Sequence, residues 1–421
     1  MANGTVADGT LVIDGDRIAA ILPADGPCSR ILLPGCVDAH VHFREPGLTL
    51  KADIASESRA AAAGGVTTVL DMPNVKPTTT SPEALAEKHR LFQEKSVVNY
   101  GLWYGITADN IDEAIRLYGA ADAPLRDQIC GFKVFLGSST GGMLMNDKAK
   151  LRRLFEGTQR VIGIHSESED IIAHNREKYL ALYGRDGDVP VEFHPKIRDV
   201  EACMQTTRMA VELAIETGAQ LHVCHLTTAE ELNYIARMKA QFPSANITTE
   251  VTPAHLWFSQ EDYQRLGTRI KCNPAIKRRQ DRDALREALA NGTIFSIGTD
   301  HAPHLLSDKQ GGALRAASGM PSIQFSLLTV LELARQGFLT LPRVAELMAT
   351  HPAQRFGLTD RGEIAIGKKA DLVLVDPSAT TTVTRECVVS KCGWSPFEGM
   401  TFENRVVGTW MNGVQILNTK Y

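Results

Sequence analysis

Leu32-Leu33-Pro34-Gly35-Cys36-Val37-Asp38-Ala39-His40-Val41-His42 is an apolar run that ends in two histidines one residue apart. Read as a strand over 32–41, it is the first of eight short runs rich in β-branched residues; the others fall at 66–71, 97–104, 129–135, 160–165, 220–225, 246–251 and 294–299. Longer helical patterns separate them, as in repeated βα units. Eight such units close a (β/α)8 barrel of the TIM type, and the expected fold class is therefore α/β.

Helix boundaries support the count. Ser81-Pro82-Glu83 reads as N-cap, first-position proline and first-turn acid, and Gly64-Gly65 ends the alanine-rich helix before the second strand. Thr227 and Thr228 each have a glutamate three residues on, Glu230 and Glu231, a capping pattern that starts a helix just after His225 and puts that histidine at a strand's C-terminal end. The chain ends differ from the middle. Residues 9–22 form a hairpin pattern around Asp-Gly, and 362–376 and 404–417 show similar alternation. Both ends are expected to join in one small β domain, giving residues 1–32 and 362–421 to that domain and 33–361 to the barrel.

The whole-chain figures narrow the function classes. A length of 421 residues favours two or three units, with barrels as the usual long exception. A composition of 43% hydrophobic and 22% charged residues is that of an ordinary globular protein. The net charge is −4 and there is no Lys/Arg run, so no nucleic-acid partner is expected. No apolar stretch reaches the roughly 18 to 20 residues that span a bilayer, and no basic-then-apolar leader opens the sequence. Eight scattered cysteines without a C-x-x-C pair read as reduced thiols. The expectation is a cytoplasmic protein with no membrane partner.

Side chains two apart on a strand share a face, so His40 and His42 can point together into a barrel top and chelate one metal. Taken alone, an H-x-H pair is more often two unrelated histidines. The other candidates change that weighting. Lys133, His165, His225 and Asp300 each lie within or at the C-terminal end of an expected strand, where barrel enzymes assemble their sites. His222 shares a strand with His225 but points to the opposite face and reads as structural.

Lys133 poses a physical problem, because a buried ammonium beside divalent cations is strongly disfavoured. Carboxylation to an anionic carbamate that bridges two metals solves it; a lysine salt-bridged elsewhere beside a single metal is the open alternative. Arg44, two residues beyond His42, can grip a carboxylate bidentately or form a surface ion pair. His89, His174, His194 and His351 read as solvated or packing residues. The loop from Leu305 to Met320 either closes over substrate or is an unstructured surface loop.

Asp38-Ala39-His40-Val41-His42-Phe43-Arg44-Glu45-Pro46-Gly47, Asp71-Met72-Pro73-Asn74 and Gly298-Thr299-Asp300-His301-Ala302-Pro303-His304 resemble the signatures of the dihydroorotase family, in the amidohydrolase superfamily of metal-dependent barrels. Gly362 to Asp376 resembles that superfamily's return into its small β domain, and Trp394-Ser395-Pro396-Phe397-Glu398-Gly399 resembles the dihydroorotase C-terminal segment. The likeness covers nearly the whole chain.

The resemblance implies two Zn2+ held by His40, His42, His165, His225 and Asp300, with carboxylated Lys133 as the bridge. It implies a metal-bridging hydroxide that attacks the ring amide of L-dihydroorotate, with Asp300 as general base and then acid, giving N-carbamoyl-L-aspartate reversibly in pyrimidine biosynthesis. Arg44, Asn74 and His304 match the family's carboxylate contacts, and Asn273 a ring contact; a plain turn residue is the other reading of Asn74. A homodimer, and association with other pyrimidine-pathway enzymes, follow from the same likeness. Ala254, the segment Asn273-Pro274-Ala275-Ile276-Lys277 and Gln324 depart from the family pattern, which leaves the substrate less constrained than the reaction class. The rivals are an allantoinase, a dihydropyrimidinase or hydantoinase, and a non-catalytic scaffold subunit.

Overall fold

The computed structural model describes residues 4–137 and 142–418. Its centre is a sheet of eight parallel strands in chain order: β1 (Cys36–Val41), β2 (Val66–Asp71), β3 (Asn99–Gly105), β4 (Gly131–Phe135), β5 (Ile162–His165), β6 (Leu221–Val223), β7 (Ile247–Val251) and β8 (Ser296–Ile297). Each pairs in parallel with the next along the chain. The ring closes just beyond β8, where Val41 bridges His301 and the His42 N–H donates to the His301 carbonyl at 2.8 Å. Most strand residues are buried, because side chains fill the inside and helices cover the outside. Among the described residues no helix is long and apolar enough to cross a membrane.

The helix starts follow the local chemistry. Ser81 Oγ accepts from the Ala84 N–H ahead of helix Pro82–Lys95, and Thr228 Oγ1 accepts from the Glu231 N–H ahead of helix Ala229–Gln241.

The run expected as one strand over 32–41 is two. Ile31–Pro34 pairs antiparallel with Leu372–Asp376 in a separate four-stranded sheet completed by Arg405–Met411 and Val414–Asn418, and Cys36–Val41 alone enters the barrel. The break has a physical cause. Pro34 lacks an N–H to continue the ladder, and a Cβ at Gly35 would overlap the Thr67 side chain of β2, so the crossing between sheets takes a residue without a side chain. The hairpin Gly9–Asp14 with Arg17–Pro23 lies against this sheet through Ile18, Ile364, Ala370 and Leu372.

The later strands are also shorter than the sequence pattern indicated. β6 ends at Val223 and β8 at Ile297, so His225 and Asp300 lie beyond the ladder. His225, Asp300 and Arg44 have φ of 36°, 48° and 68°, three of the five described non-glycine residues with positive φ. Such backbone is strained for L-residues and persists where surrounding contacts hold it.

Candidate metal centre and substrate cavity

All ten residues singled out above, His40, His42, Arg44, Asn74, Lys133, His165, His225, Asn273, Asp300 and His304, line one cavity of about 670 Å3 at the C-terminal end of the strands. At its floor the ligand atoms of His40, His42 and Asp300 lie within 4.8 Å of one another. Asp300 Oδ1 is 3.0 Å from His42 Nε2 and 3.5 Å from His40 Nε2. Beside them His165 Nδ1 and His225 Nε2 are 3.0 Å apart, so two imidazoles converge on one another from β5 and from the segment just after β6.

Lys133 is fully buried, and its Nζ sits 3.3 Å from Cys224 Sγ. Among the described residues no carboxylate lies in ion-pair range of it. A buried ammonium without a counter-charge is costly, which is the circumstance in which a carbamate is the better-behaved form.

The electrostatics favour a bound cation. Burial and Lys133 push His40 down, yet Glu250 and Asp300 outweigh them and lift it to about 10. A proton held that firmly between two carboxylates marks a place where a metal ion can replace it. Burial outweighs the pull of Asp300 on His42 and takes it down to about 4, leaving it neutral. Burial raises Asp300, but His40, His42 and Lys133 prevail and hold it at about 2.

Residues that the sequence did not reveal orient these groups. Glu250, on β7, meets His40 Nδ1 at 2.8 Å and accepts from the His225 N–H at 3.3 Å. Glu167 meets His165 Nε2 at 2.9 Å and is itself paired with Arg198. Asp38 accepts from the His40 N–H at 3.1 Å and from the N–H and hydroxyl of Thr299 at 3.0 and 2.6 Å, lacing β1 to the segment after β8. Such partners fix the ring orientation of a metal-binding histidine. The one signal available for Glu250 and Glu167 was an acid at the end of an apolar strand. His222 bonds Thr248 Oγ1 at 2.8 Å, below the cavity.

The other end of the cavity is cationic. Arg44, buried, donates from Nε to the Pro303 carbonyl at 3.1 Å, and its Nη2 faces His304 Nε2 at 3.1 Å. Burial, with Arg44, Lys51 and Lys309 nearby, pushes His304 down to about 2, so it is neutral. Asn74 turns its amide oxygen to His42 Nδ1 at 2.7 Å, which places a residue expected at the substrate carboxylate against an expected metal ligand. Asn273 Oδ1 is buried at the cavity wall and has no hydrogen-bond partner among the described residues.

Residues 313–319 of the loop after β8 form one wall. Lys309 pins this loop by donating to Ala317, Gly319 and Lys271 carbonyls at 2.6, 2.8 and 3.0 Å. Of the departures from the family pattern, Ala254 is buried in the core and Gln324 bonds Cys387 and Val389.

Similarity to known proteins extends over nearly the whole chain. The model of the amidohydrolase family matches residues 31–416. The chain is 37% identical to a dihydroorotase of Halobacterium salinarum over 412 residues, 95% of this chain and 90% of that one. It is 33% identical to an allantoinase of Bacillus velezensis, covering 98% and 89%. The solved L-hydantoinase (dihydropyrimidinase) of Arthrobacter aurescens superposes with a TM-score of 0.88 at 26% identity, over 97% of this chain and 92% of that one.

Proposed function

The chain belongs to the amidohydrolase family and is a cyclic amide hydrolase, and on that premise we propose that it is a zinc-dependent dihydroorotase that interconverts L-dihydroorotate and N-carbamoyl-L-aspartate. The observation that carries this reading is the charge of the cavity. In a chain of net charge −4, Arg44, Lys51, Lys76, Arg176, Lys271 and Arg315 all line it, against the acids Glu169 and Asp300. A cationic cleft concentrates an anionic substrate. Dihydroorotate carries a carboxylate; allantoin, hydantoin and dihydrouracil do not.

Two Zn2+ fit the donor set: His40, His42 and Asp300 would hold one, His165 and His225 the other, and carboxylated Lys133 would bridge them. Bound there, zinc lowers the pKa of water toward ~7 and polarises a carbonyl. The remaining work belongs to the chain. Arg44 grips the substrate carboxylate with its planar guanidinium, fixing which ring amide faces the metal floor. His304 and Asn74 border the same end, and the unpartnered Asn273 Oδ1 can accept a ring N–H. Asp300, anionic and 3.0 Å from His42, takes a proton from the attacking water and returns it to the ring nitrogen as the C–N bond breaks. Reversal of the same steps condenses carbamoyl-aspartate to the ring. We place the enzyme in the cytoplasm as a homodimer alongside the enzymes of pyrimidine synthesis.

A second reading, an allantoinase or dihydropyrimidinase, has support from the Bacillus allantoinase and the Arthrobacter hydantoinase. The test is ring opening by the zinc-replete protein on L-dihydroorotate, allantoin, hydantoin and dihydrouracil in parallel. Turnover of dihydroorotate alone is expected. Turnover of the uncharged rings alone would replace the substrate and keep the metal chemistry, and no turnover of any would leave a scaffold subunit.

A further inference from the structure

His304 has a cation at each ring nitrogen. Arg44 Nη2 stands 3.1 Å from Nε2, and Lys51 Nζ stands 3.0 Å from Nδ1. Burial and these two cations keep the imidazole neutral, and a neutral imidazole has one nitrogen that accepts and one that carries a proton. In either tautomer, therefore, one of the two cations faces an N–H and is left without an acceptor at His304. Arg44 still holds the Pro303 carbonyl through Nε. Lys51 has Asp308 at 3.7 Å, beyond hydrogen-bond length. Both cations line the cavity, and they come from one loop, in which the Leu48 N–H donates to the Arg44 carbonyl and the Lys51 N–H to the Leu48 carbonyl, each at 3.0 Å.

A carboxylate has two oxygens and resolves this frustration, because each cation then has an acceptor and His304 needs to serve only one of them. We propose that Lys51 is a further specificity-determining residue, which with Arg44 forms a two-cation clamp for the carboxylate of a ring substrate. The proposal rests on the reading of the substrate as a carboxylated ring. The two side chains divide the task by their anchoring. The Arg44 guanidinium is buried and oriented, whereas the Lys51 side chain is 29% exposed on a flexible stem and can follow the anion. Of the carboxylate contacts that the resemblance implies, Arg44, Asn74 and His304, only Arg44 is a cation; folding supplies the second cation by setting Lys51 beside a residue 253 positions away.

The test is titration calorimetry on the metal-loaded enzyme with orotate, a planar carboxylated ring, and uracil, the same ring without the carboxylate. The variants are Lys51→Met and Lys51→Arg. Loss of one charged hydrogen-bond partner is worth roughly ten-fold in affinity. Lys51→Met is expected to weaken orotate by about that factor and leave uracil unchanged, and Lys51→Arg to restore most of it. Unchanged orotate affinity in Lys51→Met, or an equal loss for both rings, overturns the role of Lys51. Wild-type enzyme that binds the two rings alike overturns the carboxylated-ring reading itself and the clamp with it. The partly exposed position of Lys51 leaves the core intact, so the thermal unfolding midpoint of both variants should match wild type.

Discussion

Lys88→Met is the substitution whose outcome is most tightly bound to the geometry. Lys88 and Asp71 are both fully buried, with Nζ 2.5 Å from Oδ2, and Lys88 also donates to the Met72 carbonyl at 2.7 Å. Burial pushes the Asp71 carboxyl up, and Lys88 opposes that. Removing the lysine leaves a carboxylate in the core without its counter-charge and a carbonyl without its donor. Breaking one side of a buried pair costs about 3–5 kcal/mol, a large share of the ~5–15 kcal/mol that holds a typical protein folded. There is a functional consequence too. Asp71 Oδ1 accepts from the Phe43 N–H at 2.7 Å, immediately before Arg44 with its φ of 68°, so loosening Asp71 releases the turn that aims Arg44. Urea denaturation of wild type, Lys88→Met and the Asp71→Asn/Lys88→Met double variant measures the effect. The double variant should recover at least half of the loss, because the neutral amide introduced by Asp71→Asn still accepts from the Phe43 N–H and strands no charge. A single-variant loss under about 1 kcal/mol, or a double variant less stable than the single, would refute the reasoning.

Arg44→Ala should lower kcat/KM for dihydroorotate by at least about 30-fold while sparing binding of uncharged rings, and unchanged dihydroorotate turnover would count against the proposed substrate. Dialysis against a chelator should abolish turnover and zinc should restore it, with two zinc ions per chain by metal analysis; a full-activity plateau at one per chain would rule out the binuclear centre. Glu250→Gln, which weakens the acceptor on His40 Nδ1, should lower metal affinity by roughly 10- to 100-fold in a competition titration, and wild-type affinity would show that Glu250 does not tune the ligand.

The chain order of apolar runs determined the barrel, because a parallel strand needs only local β-branched sequence and a helix to return it. The same pattern located His40, His42, Lys133, His165, His225 and Asp300, since strand periodicity and position at a strand's C-terminal end are local properties. The pattern failed where two segments compete for space. It read 32–41 as one strand although Pro34-Gly35 is a local break; what no local pattern records is that β2 crowds Gly35 and that Ile31–Pro34 pairs with Leu372–Asp376 instead. It also carried His225 on its strand and ended the last strand next to Asp300, although both residues lie beyond the ladder in strained backbone held by contacts from elsewhere.

Closure of the ring is what brings distant residues into contact. Glu250 reaches His40 across 210 positions and Lys51 reaches His304 across 253. Asn74 was expected at the cavity it lines, but which neighbour its amide would meet was not legible. Sequence alone therefore determined the architecture and the set of chemically competent side chains, because those depend on local periodicity and residue type. Tertiary structure decided their charge states, their orientation and the cationic character of the cavity, because those depend on which groups the closed barrel places within a few ångströms of one another and removes from water.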